Sequence, residues 1–208
     1  MKDFRHSNSE HWNEFQWENE IRRDERRISC YYRELPECLD LPGEEDMIFD
    51  SLLSHPDLVP TGGSADSLRS WCQDSDEDDE PPFDGNDRRP GSELVAALDR
   101  LAAEWNVLAV SRLRSTLEPA GLAVGCAFGK LLARVADFVD TVDPADRALR
   151  ISLGKRSLAD LNDLTGALRQ LQERQRSAAS EIELIVEPLS HMREQLLDLL
   201  ADSRLGKY

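Results

Sequence analysis

Residues 92–108, SELVAALDRLAAEWNVL, carry the pattern that decides the fold: Leu94, Leu98, Leu101, Trp105 and Leu108 recur at alternating spacings of four and three. That period places all five on one face of an α-helix, and Ser92 stands where an N-cap is wanted. The pattern then repeats toward the C-terminus. Glu118-Pro119 ends this helix and opens a second, with proline at the first helical position, where its missing N–H costs little. Val124, Phe128, Leu131, Val135, Phe138 and Val142 form the second stripe. Asp143-Pro144 reads as a cap-and-proline start for a short helix ending before Gly154. Ser157 and Asp160 have the spacing of a capping box, followed by a third stripe of Leu161, Leu164, Leu168 and Leu171. The last stripe is Ile185, Leu189, Met192, Leu196 and Leu199. Pro188 lies inside it and predicts either a kink or a new start.

Four amphipathic segments joined by short connections predict an all-α fold whose C-terminal part, residues 92–208, is an antiparallel helical bundle of the four-helix type. No strand signal competes. Gly121, Gly125 and Gly129 fall every fourth residue on one side of the second helix. Small residues at that spacing admit a close neighbour, either within the bundle or in a homodimer.

Working toward the N-terminus, the composition changes. Residues 1–90 hold 10 basic and 24 acidic side chains, net −14, whereas residues 91–208 hold 15 and 17, net −2. Seven of the acids fall between Asp74 and Asp84, in a stretch interrupted by Pro81 and Pro82. Such a segment buries too little apolar surface to offset its ordering entropy, so residues 74–91 are expected to be a flexible acidic linker. Residues 1–73 are expected to form a helical, aromatic and acidic arm, partly disordered. Trp17, Ile21, Ile28, Tyr31 and Leu35 share a helical face, interrupted by Asp24, predicting a helix from about Glu10 to Glu34 that Pro36 stops. A second helix fits Glu44 to Ser54, with Ile48, Phe49, Leu52 and Leu53 apolar, and a third covers Ala65 to Cys72. Pieces this short need something to dock on.

The overall charge of −16 over 208 residues disfavours sequence-independent contact with nucleic acid or an anionic membrane. A protein partner with a basic or neutral surface fits better. The first fifteen residues contain no apolar stretch of the kind a secretory signal needs, and the run from Ala120 to Gly129 is too short to span a bilayer, so a cytoplasmic protein is expected. Cys30, Cys38, Cys72 and Cys126 match no paired metal-binding spacing and are read as reduced thiols.

Chemistry-bearing patterns are few. His11 with Glu14 and His191 with Glu194 are His-x-x-Glu pairs, the reverse of the Glu-x-x-His order that helical bundles use to hold two irons. Glu183, Glu187, His191 and Glu194 fall at helical spacing, which keeps a metal-dependent bundle enzyme as an alternative, though Pro188 disturbs the spacing and a solvated charged face is the simpler explanation. One histidine on a helical bundle also resembles the histidine phosphotransfer modules, but the context LSHMREQL lacks the Lys-Gly pair that follows the histidine there. No nucleophile elbow, phosphate loop or His-Glu-x-x-His occurs, so neither catalysis nor a cofactor is expected. What remains is an interaction protein. Trp12, Trp17, Tyr31, Tyr32 and Trp71 are the expected anchors, since large aromatics concentrate binding energy. Arg22, Arg23, Arg26 and Arg27 form a local basic patch. They either pair along their own helix or attract the Asp76–Glu80 cluster, which would mask the arm. A third reading is an acidic mimic of nucleic acid that occupies a basic groove.

Overall fold

The computed structural model describes residues 12–38, 41–58, 89–112 and 119–207. Among these residues the protein is all-α, with six helices and no strand. In chain order they are α1 (Glu14–Cys38), α2 (Glu44–Leu53), α3 (Ser92–Arg112), α4 (Pro119–Asp140), α5 (Arg147–Arg174) and α6 (Ala179–Leu205). Contacts divide the chain into two compact units, residues 1–84 and residues 85–208. The acidic stretch Asp74–Asp87 and the expected helix over Ala65–Cys72 lie outside the described residues.

In the second unit, α3 packs on α4, α4 on α5, α5 on α6 and α3 on α6, which closes a four-helix ring. The ring is antiparallel: the start of α5 touches the end of α6 through Arg150 and Ser203, and the end of α5 meets the start of α6 through Gln172 and Glu183. The predicted stripes supply the core, with Leu98, Trp105, Phe128, Leu131, Phe138, Leu161, Leu164, Leu168 and Leu196 buried. The Trp105 and Phe128 rings stack with centroids 6.4 Å apart and join α3 to α4. Gly125 lies beside Trp105 and Asn106 on α3, whereas Gly129 faces open space, so only part of the glycine stripe serves close packing within the bundle.

The third and fourth predicted segments are one helix. No break occurs at Gly154, and α5 runs unbroken through it. A Cβ there would stand 3.0 Å from both Leu200 and Phe138, so the glycine provides a close crossing of three helices rather than a stop. Ser157 and Asp160 accordingly cap nothing. The Ser157 hydroxyl donates to the Leu153 carbonyl one turn back at 2.9 Å, and Asp160 turns to α4, where Lys130 Nζ stands at 3.0 Å and Arg134 Nε at 3.1 Å. The Asp143-Pro144 start exists in reduced form: Asp143 accepts from the Ala145 N–H at 2.9 Å and opens a single 3-10 turn before α5. Val142 is exposed, because α4 ends at Asp140 and the residue falls past the helix. In α6, Leu200 rather than Leu199 completes the fully buried stripe. Pro188 leaves α6 a single helix. It withholds one N–H from the carbonyl of Leu184, a residue on the solvent side, where water can satisfy the freed oxygen.

At one end of the bundle the helices are tied by buried polar contacts. Arg150 is 2% exposed; its Nε donates to Ser203 Oγ at 2.9 Å, its Nη1 donates to the Thr141 carbonyl at 2.6 Å, and its guanidinium lies 5.0 Å from the centre of the Phe138 ring. Arg147 donates to the Arg204 carbonyl, and Arg89 pairs with Asp140 at 2.8 Å. Gly91, with φ of 99°, starts α3 at the same end. A side chain there would meet Val139 at 2.8 Å and Leu199 at 3.1 Å.

Two expectations follow for urea unfolding of the full chain. Gly154→Val forces methyls into Phe138 and Leu200 and costs about 1–3 kcal/mol, whereas Gly166→Ala, in the same helix and with nothing within 4 Å, gains about 0.5–1 kcal/mol. The second concerns Asp137, an exposed residue whose carboxyl is raised above the ordinary aspartate value, chiefly by partial desolvation, with Arg134 opposing the rise and Asp140 adding to it. The folded chain therefore holds this proton more tightly than the unfolded chain. Stability falls as pH climbs from the ordinary value through the raised one, and then levels off. Asp137→Asn should accordingly raise the thermal midpoint at neutral pH, with the advantage fading as pH drops below the ordinary aspartate range.

Candidate functional site

The first unit is α1 laid against α2 and the turn that follows it. The start of α1 is set by a reciprocal cap: Asn13 Oδ1 accepts from the Gln16 N–H at 3.0 Å, and Gln16 Oε1 accepts from the Asn13 N–H at 3.0 Å. The helix passes through Pro36 and ends at Cys38, four residues beyond the end at Glu34 that Pro36 predicted. The proline removes a hydrogen bond only from the Tyr32 carbonyl, on the solvent side, while continuation buries Cys38. The second helix matches its prediction closely, with Ile48 as its buried residue.

The most enclosed positions of α1 do not lie on its apolar face. Its most enclosed positions are Glu20, Cys30 and Cys38, with Arg23, Arg27 and Glu34 partly enclosed alongside them. On a helix of 3.6 residues per turn this stripe lies about a quarter turn from the face of Trp17, Ile21, Ile28, Tyr31 and Leu35. Ion pairs hold the covered stripe. Glu20, 8% exposed, accepts from Arg23 at 2.7 Å and from Arg27 at 3.0 Å. Arg27 also pairs with Asp24 and donates through Nε to the Leu58 carbonyl at 2.5 Å, and Arg26 reaches Asp57 at 2.9 Å. Arg22 pairs with Glu18 at 2.8 Å on the outside. The four arginines expected as a basic patch are thus committed within the unit, three of them in holding α1 or the 57–58 turn. The Asp76–Glu80 cluster lies outside the described residues.

The aromatic anchors fall into two groups. Trp12 and Trp17 meet edge to face, with centroids 4.9 Å apart, at the start of α1. Tyr31 and Tyr32 do the same at 5.9 Å, about 21 Å further along the helix. Trp17, Tyr31, Ile21 and Leu35 are half-buried, while Ile28 is 55% and Tyr32 66% exposed. Trp71 lies outside the described residues. Glu20, Cys30 and Cys38 carried no signal as a packing stripe, because hydrophobic periodicity does not register a face built of carboxylate, guanidinium and thiols. The seven-residue spacing of Glu20 and Arg27 was the one legible trace.

The histidine motif does not assemble a site. His191 is exposed, with Nδ1 3.4 Å from the Glu187 carbonyl oxygen, and Glu194 pairs with Arg193 at 3.0 Å. Among the described residues no group of three or more His, Cys, Asp or Glu side chains is placed to hold a metal ion. His11 lies outside them. Cys30, Cys38 and Cys126 are free thiols. Among the described residues no helix is long and apolar enough to cross a membrane. No family model, curated protein or solved structure matches this chain.

Removing Arg27 leaves Glu20 enclosed with one cation fewer and frees the Leu58 carbonyl. Arg27→Ala should cost the first unit about 1–3 kcal/mol, seen as faster amide hydrogen exchange throughout α1 and α2 in the full chain.

Proposed function

We propose that this is a non-enzymatic, cytoplasmic interaction or regulatory protein, in which the bundle is a rigid frame and the acidic, aromatic N-terminal arm docks on a partner protein. One observation carries the reading: on α1, Ile28 and the neighbouring Tyr32 are more than half exposed, although both are large side chains beside an otherwise half-buried apolar face. Singly exposed apolar residues are ordinary on any surface. Here the exposed residues lie on or beside a helical face that also carries Trp17, Ile21, Tyr31 and Leu35, interrupted by Asp24, and amphipathic helices are recognised through faces of this kind. Trp12, Trp17, Tyr31 and Tyr32 are the anchors on this reading, with Trp71 the further candidate from sequence.

The 24 acidic against 10 basic side chains of residues 1–90 favour a second reading, an acidic mimic of nucleic acid seated in a basic groove. Salt separates the two. Aromatic anchoring retains most of its affinity between about 0.1 M and about 1 M salt, whereas charge mimicry loses it steeply over that range.

The test is affinity co-purification from native extract with the full chain and with its Ile28→Glu and Tyr32→Ala variants. A protein retained by the parent chain at high salt and lost with either variant is the expected result. Equal retention by all three chains would move the contact off α1, and loss of all retention at moderate salt would favour the mimic.

A further inference from the structure

We propose that two copies of this chain dock through the outer face of α3 and α4, with the Asn106 side chain of each copy supplying the acceptor that the other copy's Trp105 indole N–H lacks. Trp105 is 1% exposed, and among the described residues its N–H meets no acceptor. A buried indole N–H ordinarily finds one. This one faces Gly125 on α4, where a Cβ would stand 3.8 Å from Trp105 Nε1 and 3.9 Å from Asn106 Oδ1. The nitrogen is not among the fully sealed side-chain atoms without a bond, so solvent touches it at this point. Asn106 is exposed, and its amide makes no hydrogen bond among the described residues. A donor without an acceptor and an amide with both functions therefore share the floor of the α3–α4 seam, over a residue with no side chain to cover them.

The face around this pair is open and uncharged. Val110, one turn after Asn106, is 64% exposed, and Leu122, one turn before Gly125, is 63% exposed; antiparallel packing brings these ends of the two helices together. Cys126 and Gly129 continue the α4 side, both exposed, and a Cβ at Gly129 would meet nothing within 4 Å. From Trp105 to Ser111 and from Pro119 to Gly129 the sequence has no charged side chain. That absence of charge selects the occupant. A chain of net charge −16 repels its own copies over most of its surface, and here two copies approach without setting like charges together. A basic partner gains no ion pair at a neutral face, and a purely apolar one leaves the indole N–H without an acceptor. A two-fold interface lays one patch on the same patch, so the patch must complement itself. Asn106 meets that requirement, because its amide is donor and acceptor at once, and an asparagine in a helix seam pairs with its own copy in this way. Small residues at Gly125, Cys126 and Gly129 let the second copy come close.

The full-length protein is sized by sedimentation equilibrium from about 1 μM to about 500 μM. A reversible monomer–dimer equilibrium is expected. Its dissociation constant should rise about tenfold or more in Leu122→Glu and in Asn106→Asp, each of which sets like charges against each other across the two-fold axis. Leu184→Glu is the control: Leu184 is 68% exposed on α6, so the added charge lies off the proposed face and leaves the dissociation constant unchanged. All three side chains are exposed, so the variants fold, which circular dichroism checks. The pairing has its own readout in the indole N–H signals of the NMR spectrum, assigned by replacing Trp12, Trp17 and Trp71 with phenylalanine in turn. The Trp105 signal should shift in step with the fraction of dimer. A monomer throughout the range, or a dimer that Leu122→Glu and Asn106→Asp leave intact, would overturn the proposal. So would a Trp105 signal that stays fixed while the dimer forms, since the contact would then lie away from that N–H.

Discussion

The bundle depends on a guanidinium that has been taken out of water. Burying a charged group unpaired costs several kcal/mol, so Arg150 is tolerable only where acceptors converge on it. They come from three places: the Ser203 hydroxyl near the end of α6, the Thr141 carbonyl just past the end of α4, and the face of Phe138. Two of these groups sit at helix C-termini, where the peptide dipoles leave partial negative charge that a cation offsets. Ser203 is itself held, because its hydroxyl donates to the Leu199 carbonyl at 2.8 Å and its oxygen is left to receive Arg150. The arrangement sets where α4 and α6 end relative to the start of α5. Phe138 then lies against Gly154, and the close crossing at that glycine follows from the same placement.

Further along the α4–α5 contact, Asp160 repeats the logic with the signs reversed. A buried carboxylate on α5 receives Lys130 and Arg134 from α4. Replacing such a cluster with apolar side chains can match its stability, so its distinct contribution is register. Leucines of similar size slide past one another at small cost, while a carboxylate held by two cations has one position. Polar contacts at the end and in the middle of α5 thus align a core whose cohesion comes from leucine, valine and phenylalanine.

Much of this was legible in the sequence, and the misreadings share a cause. Apart from Val142 and Leu199 at their ends, the stripes of α3, α4 and α6 were read correctly because burial there is apolar and apolar periodicity is what a sequence displays. The failures fall where polar or small residues do the packing. Gly154 and the Ser157–Asp160 pair have the local signature of a helix boundary, yet tertiary neighbours on α4 and α6 convert them into a close crossing and an ion-pair site in mid-helix. Pro36 stops a helix in isolation, but here continuation buries Cys38 and leaves only a solvent-side carbonyl unpaired. In α1 the apolar face was identified and its partner was not. The stripe that is covered reads as Glu, Arg and Cys, which no hydrophobic period could reveal.

That inversion separates α1 from the bundle helices in energetic kind. The bundle helices bury their main apolar stripes in their own core, while Val107 and Val110 of α3, Leu122 of α4 and Leu184 of α6 stay exposed. In α1 the inward contacts include ion pairs, the bond to the Leu58 carbonyl and the buried thiols of Cys30 and Cys38, while Ile28 and Tyr32 keep more than half of their surface in water. The free energy from burying that surface, about 25 cal/mol per Å², is realised only when something is laid on it. Folding of the first unit alone leaves this part of its hydrophobic free energy unused, and association can draw on it without unfolding anything.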